Sequence, residues 1–162
     1  MILNEKIILI LFLVSVCAVG ASASTYESIA DFYLKEQSSN CLNGTGTNYT
    51  LDDSTTCNYD AVMKINGTSN WLENAAFYYS DDNGQNWNFL TKFVGGDCKS
   101  QVQLVQQGGS YVGSYSCSFL TPVADSYIFR ASIKYNGCGG DQWTPTPAAA
   151  CGDTSDINVL VS

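Results

Sequence analysis

From Tyr59 onward the chain repeats apolar residues at every second position, in short runs cut by turn residues. That spacing belongs to strands with one face on a core and the other in water. The runs fall at 61–65, 75–80, 87–94, 101–107, 111–119, 127–135 and 156–161. Asn66-Gly67, Gly95-Gly96-Asp97, Gly108-Gly109 and Asn136-Gly137 punctuate them. No stretch in this region sustains a 3.6-residue period, and no internal repeat is present.

Seven short strands at close spacing predict an all-β fold, an antiparallel immunoglobulin-like β-sandwich. The one helical candidate lies before it, at 24–37. There Ser24-x-x-Glu27 has the form of a capping box, and Tyr26, Ile29, Ala30, Tyr33 and Leu34 would share one helical face. The frequency of Thr and Tyr leaves an extended arm open as the other reading. Residues 38–60 are polar and rich in Gly, Asn and Thr, which predicts a solvated loop.

The chain opens with a leader-like segment. Lys6 precedes an almost wholly apolar run at 7–19, and Ala21-Ser22-Ala23 supplies a small-x-small cleavage pattern. The apolar run is too short to cross a bilayer, which takes about 20 residues. Residues 1–23 are therefore expected to be a secretion signal, with no membrane insertion. Residues 24–58 would form the helix or arm and its loop, packing as one domain with a sandwich at 59–162. About 139 residues remain after cleavage, enough for one core.

Seven cysteines are present, one of them in the leader. The six others, Cys41, Cys57, Cys98, Cys117, Cys138 and Cys151, read as a disulfide framework in an oxidising compartment. Six cysteines allow 15 connectivities. The expected one is sequential: Cys41 with Cys57 around the polar loop, Cys98 with Cys117 at the open end of the hairpin turned by Gly108-Gly109, and Cys138 with Cys151 around the Pro-rich loop. The competing reading has at least one pair crossing between sheets. Three N-x-S/T sequons, at Asn43, Asn48 and Asn66, agree with export to an extracellular location.

Composition excludes several functions. Fifteen acidic and seven basic residues give a net charge of −8, which repels a phosphate backbone, so nucleic acid is not an expected partner. Histidine is absent. That removes Ser-His-Asp and Cys-His catalytic pairs and any His-ligated zinc. Glu27, Glu36 and Glu73 are the glutamates outside the leader, and no motif marks any two of them as a glycosidase pair. The protein is expected to be non-catalytic, without cofactor or metal; Asp81, Asp82 and Asn83 do not have EF-hand spacing.

Ser80-Asp82-Gly84-Trp87 is the most patterned stretch. It resembles the Asp-box, S-x-D-x-G-x-x-W, of sialidases and many secreted β-proteins. The resemblance implies a tight hairpin in which Asp82 accepts backbone N–H bonds, Gly84 takes a positive φ and Trp87 packs over the turn. The box is mostly structural where it occurs, and this chain is too short for a sialidase propeller.

A second resemblance is carried by Asn66-Gly67-Thr68, Ala76-Phe77-Tyr78-Tyr79, Asn83 to Trp87, Phe129 to Tyr135, and Trp143. Over 65–143 the chain looks like the starch-binding carbohydrate-binding modules of family 21. The family's W-D-N-N run is missing, since Thr144-Pro145 follows Trp143, and six cysteines are not typical of it. The resemblance implies that Trp87 and Trp143, with Tyr79 alongside, are sugar-stacking platforms. Asn83, Gln142 and Asp141 would then bond hydroxyls. The competing reading packs Trp87 inside its hairpin and uses Trp143 to fill a loop.

The expected function is therefore secreted carbohydrate binding through exposed aromatic residues. Two alternatives stand beside it. One is an extracellular protein–protein interaction or adhesion module of immunoglobulin-like type, docking on a sheet face or strand edge. The other is a structural matrix or coat component.

Overall fold

The computed structural model describes residues 27–37, 40–53, 57–90, 98–138, 141–147 and 151–162. The expected leader at 1–23, the Ser24 cap, the end of the expected strand at 91–94 and the Gly95-Gly96-Asp97 break lie outside the described residues.

Among the described residues, eleven strands make two sheets packed face to face. They are β1 (Ser28–Glu36), β2 (Leu42–Thr45), β3 (Asn48–Leu51), β4 (Asn58–Gly67), β5 (Leu72–Ser80), β6 (Asn88–Phe89), β7 (Lys99–Gln103), β8 (Val105–Gln107), β9 (Ser110–Leu120), β10 (Ser126–Tyr135) and β11 (Gly152–Val161). The smaller sheet runs β1-β4-β9-β8. The larger runs β2-β3-β11-β10-β5-β6, with β7 also on β5. Among the described residues, every ladder between these strands is antiparallel except that between β3 and β11, which is parallel.

The segment with a helical face is a strand. β1 pairs with β4 from Ser28↔Asn66 to Glu36↔Tyr59, with a register shift between Ile29 and Asp31. Phe32 and Leu34 point into the core and Tyr33 lies between them on the other face. β4 supplies a ladder along one side of β1, and two inward slots take Phe32 and Leu34. A short helix is marginal by itself, and the strand gains the β4 ladder as well as the core, so tertiary pairing overrides the helical pattern.

The polar segment at 42–51 likewise forms strands rather than a loop. β2 and β3 form a hairpin in which Leu42 faces Leu51 and Gly44 faces Tyr49. Tyr49 and Leu51 are buried. Gly44 has φ 110°, and a Cβ placed there would lie 2.3 Å from the Asn48 carbonyl oxygen, so no side chain fits.

The run at 101–107 is two strands. β7 pairs with β5 in the larger sheet and β8 with β9 in the smaller. The chain changes sheets at Leu104, whose side chain is buried in the core.

The core is rich in rings. Phe77 stacks on Phe32 at 5.6 Å and on Tyr115 at 5.3 Å between centroids, while Phe119 contacts Tyr59 and Phe129.

Disulfides join Cys41–Cys57, Cys98–Cys117 and Cys138–Cys151, the sequential pattern. The second does not close the foot of a hairpin. Cys98 leads into β7 of the larger sheet and Cys117 lies on β9 of the smaller, so this bridge ties the two sheets together. Replacing both Cys98 and Cys117 by serine should lower stability by about 3 kcal/mol, the usual scale for a loop of this length. Urea denaturation of the two forms measures it, and an unchanged midpoint would contradict the estimate.

Candidate functional site

The turn between β5 and β6 is built around two side chains. Asp82 Oδ1 accepts the backbone N–H groups of Gln85 (3.0 Å) and Asn86 (2.8 Å), and Oδ2 accepts the Asn86 amide (2.5 Å). Ser80 Oγ donates to Asp82 Oδ1 (2.7 Å) and accepts the Gly84 N–H (2.8 Å). These donors, the Asn86 N–H foremost, hold the Asp82 carboxyl down at about 2. Asn83 and Gly84 take φ 60° and 83°, and the Trp87 ring lies over Gly84.

Trp87 is partly buried, and one ring face is occupied. The Arg130 guanidinium stands 4.0 Å from its centroid. Arg130 is itself fixed, donating from Nε and Nη2 to the two carboxylate oxygens of Asp156 at 2.6 and 2.7 Å, and from Nη1 to the Pro145 carbonyl at 3.0 Å. A sugar cannot stack where the guanidinium already sits.

Residues 141–147, between β10 and β11, lie down on the outer face of the larger sheet. The Tyr78 hydroxyl donates to the Trp143 carbonyl. Ser132 Oγ donates to Thr144 O (3.3 Å), and Lys134 Nζ donates to Asp141 O (3.1 Å) and to Thr144 Oγ1. Trp143 is half-buried here, with the Lys99 ammonium 5.8 Å from its ring. The structure thus brings Trp87 and Trp143 to one sheet face, but partly covered. Gln142 and Asn83 are exposed. Tyr79 is 2 % exposed and belongs to the core, because odd positions of β5 face inward; it is not a surface platform.

A different aromatic stands free at the end of the sandwich where β5 begins. Trp71, which the sequence reading did not single out, is 49 % exposed. Among the described residues it is the one aromatic side chain in the exposed range. Its ring meets Tyr135 edge-on at 4.7 Å, and Tyr135 in turn lies against Gly137. The backbone beneath is pinned: Leu104 N–H donates to Trp71 O (3.3 Å), Asn136 N–H to Leu72 O (2.9 Å), and the Gln103 amide to Asn70 O. A sequence signal existed, since Trp71 follows a polar turn, Asn66 to Asn70, where a large ring has little chain to bury it.

Below this end lie two buried glutamates. Glu73, opposite Tyr135 and Val102 in the ladders, is 1 % exposed and leaves Oε1 without a hydrogen-bond partner. Burial, then the charge of Glu27, pushes its carboxyl up to about 7. Glu27 Oε1 accepts from Ser69 Oγ at 3.3 Å. Among the described residues no three His, Cys, Asp or Glu side chains are arranged to hold a metal, and no helix is long and apolar enough to cross a membrane.

No protein-family model matches the chain, and no curated protein matches it. The likenesses to the Asp-box and to starch-binding modules rest on the residues alone.

Proposed function

We propose that the protein is a secreted, non-catalytic carbohydrate-binding module whose sugar platform is Trp71 backed by Tyr135. The exposed, edge-supported indole of Trp71 carries the reading. A fixed ring offers a flat apolar surface to the C–H face of a sugar at little cost in side-chain entropy. Asn70, next to it in the chain, and Asn136, whose N–H donates to Leu72 O, are exposed and bring amides suited to hydroxyl groups. Three disulfides, a leader-like N-terminus and three sequons support the extracellular setting.

A glycan array followed by affinity electrophoresis on soluble polysaccharides tests this. The wild-type protein should be retained by at least one glycan, and Trp71→Ala should weaken that binding about tenfold or more, since a lost aromatic contact is worth roughly 1.5 kcal/mol or more. Trp87→Phe should leave it unchanged. Absence of any retained glycan, or equal binding by Trp71→Ala, contradicts the proposal.

One observation favours the adhesion alternative. Leu120 and Val123, at the end of β9 and just beyond it, are 54 % and 79 % exposed. A protein partner docked there would be lost in Val123→Asp and untouched in Trp71→Ala.

A further inference from the structure

At the end opposite Trp71, the outer face of the larger sheet carries a groove of about 560 Å³. Its floor is a grid fixed by strand register. One row reads Asn48, Asn158, Ile128 across β3, β11 and β10. The next reads Thr50, Leu160, Ser126. The β5–β6 turn, at Asp81 to Asn83, and Asp125 wall it in. The volume lies in the range of small-ligand sites. From Asn48 to Ile128 the row crosses two strand spacings, roughly 10 Å, the reach of a disaccharide.

Asn48 heads the first row and also heads a sequon, Asn48-Tyr49-Thr50. Its side chain is outward and exposed. Asn158 Nδ2 donates to Asn48 Oδ1 at 3.2 Å, which fixes the plane of the amide. Leu160, in the middle of the floor, is 48 % exposed although polar residues flank it on both sides. Asn43, the neighbouring sequon, faces Thr50 from the edge strand β2 and does not line the groove.

We infer that Asn48 carries an N-linked glycan whose two innermost sugars lie in this groove, with the apolar face of one on Leu160. Asn83, Ser126 and Asp125 meet the hydroxyl and acetamido groups. In the modification, Asn48 Nδ2 bonds to C1 of the reducing-end sugar of a lipid-pyrophosphate-linked oligosaccharide. The C1–O bond to the pyrophosphate breaks, the lipid pyrophosphate leaves, and the amide gives up one proton. The chain's own glycan thereby covers Leu160 and Ile128, the apolar part of the floor. The inference rests on export and is independent of the Trp71 platform.

The test is secretion of the full chain from a eukaryotic host, site mapping by mass spectrometry, and timed release of each glycan by peptide-N-glycosidase from folded and unfolded protein. Asn48 should be occupied, and its release from the folded protein should be about tenfold slower than from the folded Leu160→Ser variant, the factor that a tenfold seating equilibrium imposes. Asn43→Gln should not alter that rate. In the intact glycoprotein, nuclear Overhauser contacts between sugar protons and the Leu160 methyls should be present; these decide the matter on wild-type protein even if Leu160→Ser does not fold. Protein in the medium with bare Asn48 overturns the inference and leaves export standing. Occupied Asn48 released as fast as in Leu160→Ser, or without Leu160 contacts, overturns the seating. Failure to reach the medium overturns export itself and this inference with it.

Discussion

Phe77→Ala should lower the unfolding free energy by about 4 kcal/mol, the scale for removing a fully buried phenylalanine. Phe77 is 0 % exposed and stands on β5 between Phe32 of β1 and Tyr115 of β9. It is one of the rings through which the two sheets meet, beside the Phe119–Phe129 pair, so its loss removes contacts on both sides and leaves a void that strands cannot close. For a domain stable by about 5–15 kcal/mol, that is a quarter or more of the total. Urea denaturation at neutral pH measures it, with Leu120→Ala, at an exposed position, as the comparison. The two variants having the same midpoint would show that the stack is not what holds the sheets together.

The second large effect is on pH dependence. In the folded protein Glu73 holds its proton up to about 7, against an ordinary value of 4.5. The folded state therefore binds protons more tightly than the unfolded chain. Its contribution to stability is complete below about 4.5, declines as the pH rises through that interval, and is gone above about 7. The full span is about 3 kcal/mol at most, from 1.36 kcal/mol per pH unit. Glu73→Gln keeps the shape and removes the ionisation. It should match the wild type at pH 4 and exceed it by up to about 3 kcal/mol at pH 8, read from thermal unfolding at both. A difference that is equal at the two pH values, or one that favours the wild type at pH 8, would remove burial of this carboxyl as the cause.

Much of the fold is legible in the chain because alternation reports directly on which side chains face inward. β4, β5, β9 and β10 are all visible this way. β1 is not, because Ile29, Tyr33 and Leu34 happen to suit a helix as well, and only the presence of β4 decides between them. β2 and β3 are each four residues long, too short for a pattern to outweigh their Asn, Gly and Thr content. The change of sheets at Leu104 leaves no mark, since alternation continues through it. For that reason the pairing of Cys98 with Cys117 is readable while the distance it bridges in the architecture is not.

At the candidate site the same limit applies. The bonds of Asp82 follow from local spacing alone. The fates of Tyr78 and Tyr79 do not: alternation puts one inward and one outward, yet both are buried, because the loop at 141–147 returns across the sheet. The covering of Trp87 likewise depends on Arg130, 43 positions further along. Trp71 escapes notice because it stands alone in a polar turn.

The parallel ladder between β3 and β11 bears on how the molecule is made. Asn48 and Asn158 touch across 110 positions of chain. The β2–β3 hairpin emerges early in synthesis and has no lateral neighbour until β11 has emerged. Closing so long a loop before its contacts form slows the final step of assembly. During that interval the open flank of β3 is a place where two nascent chains can join. A ribosomal pause or truncation upstream of β11 would thus yield a chain with its smaller sheet formed and its larger sheet incomplete, prone to pairing with its own copies.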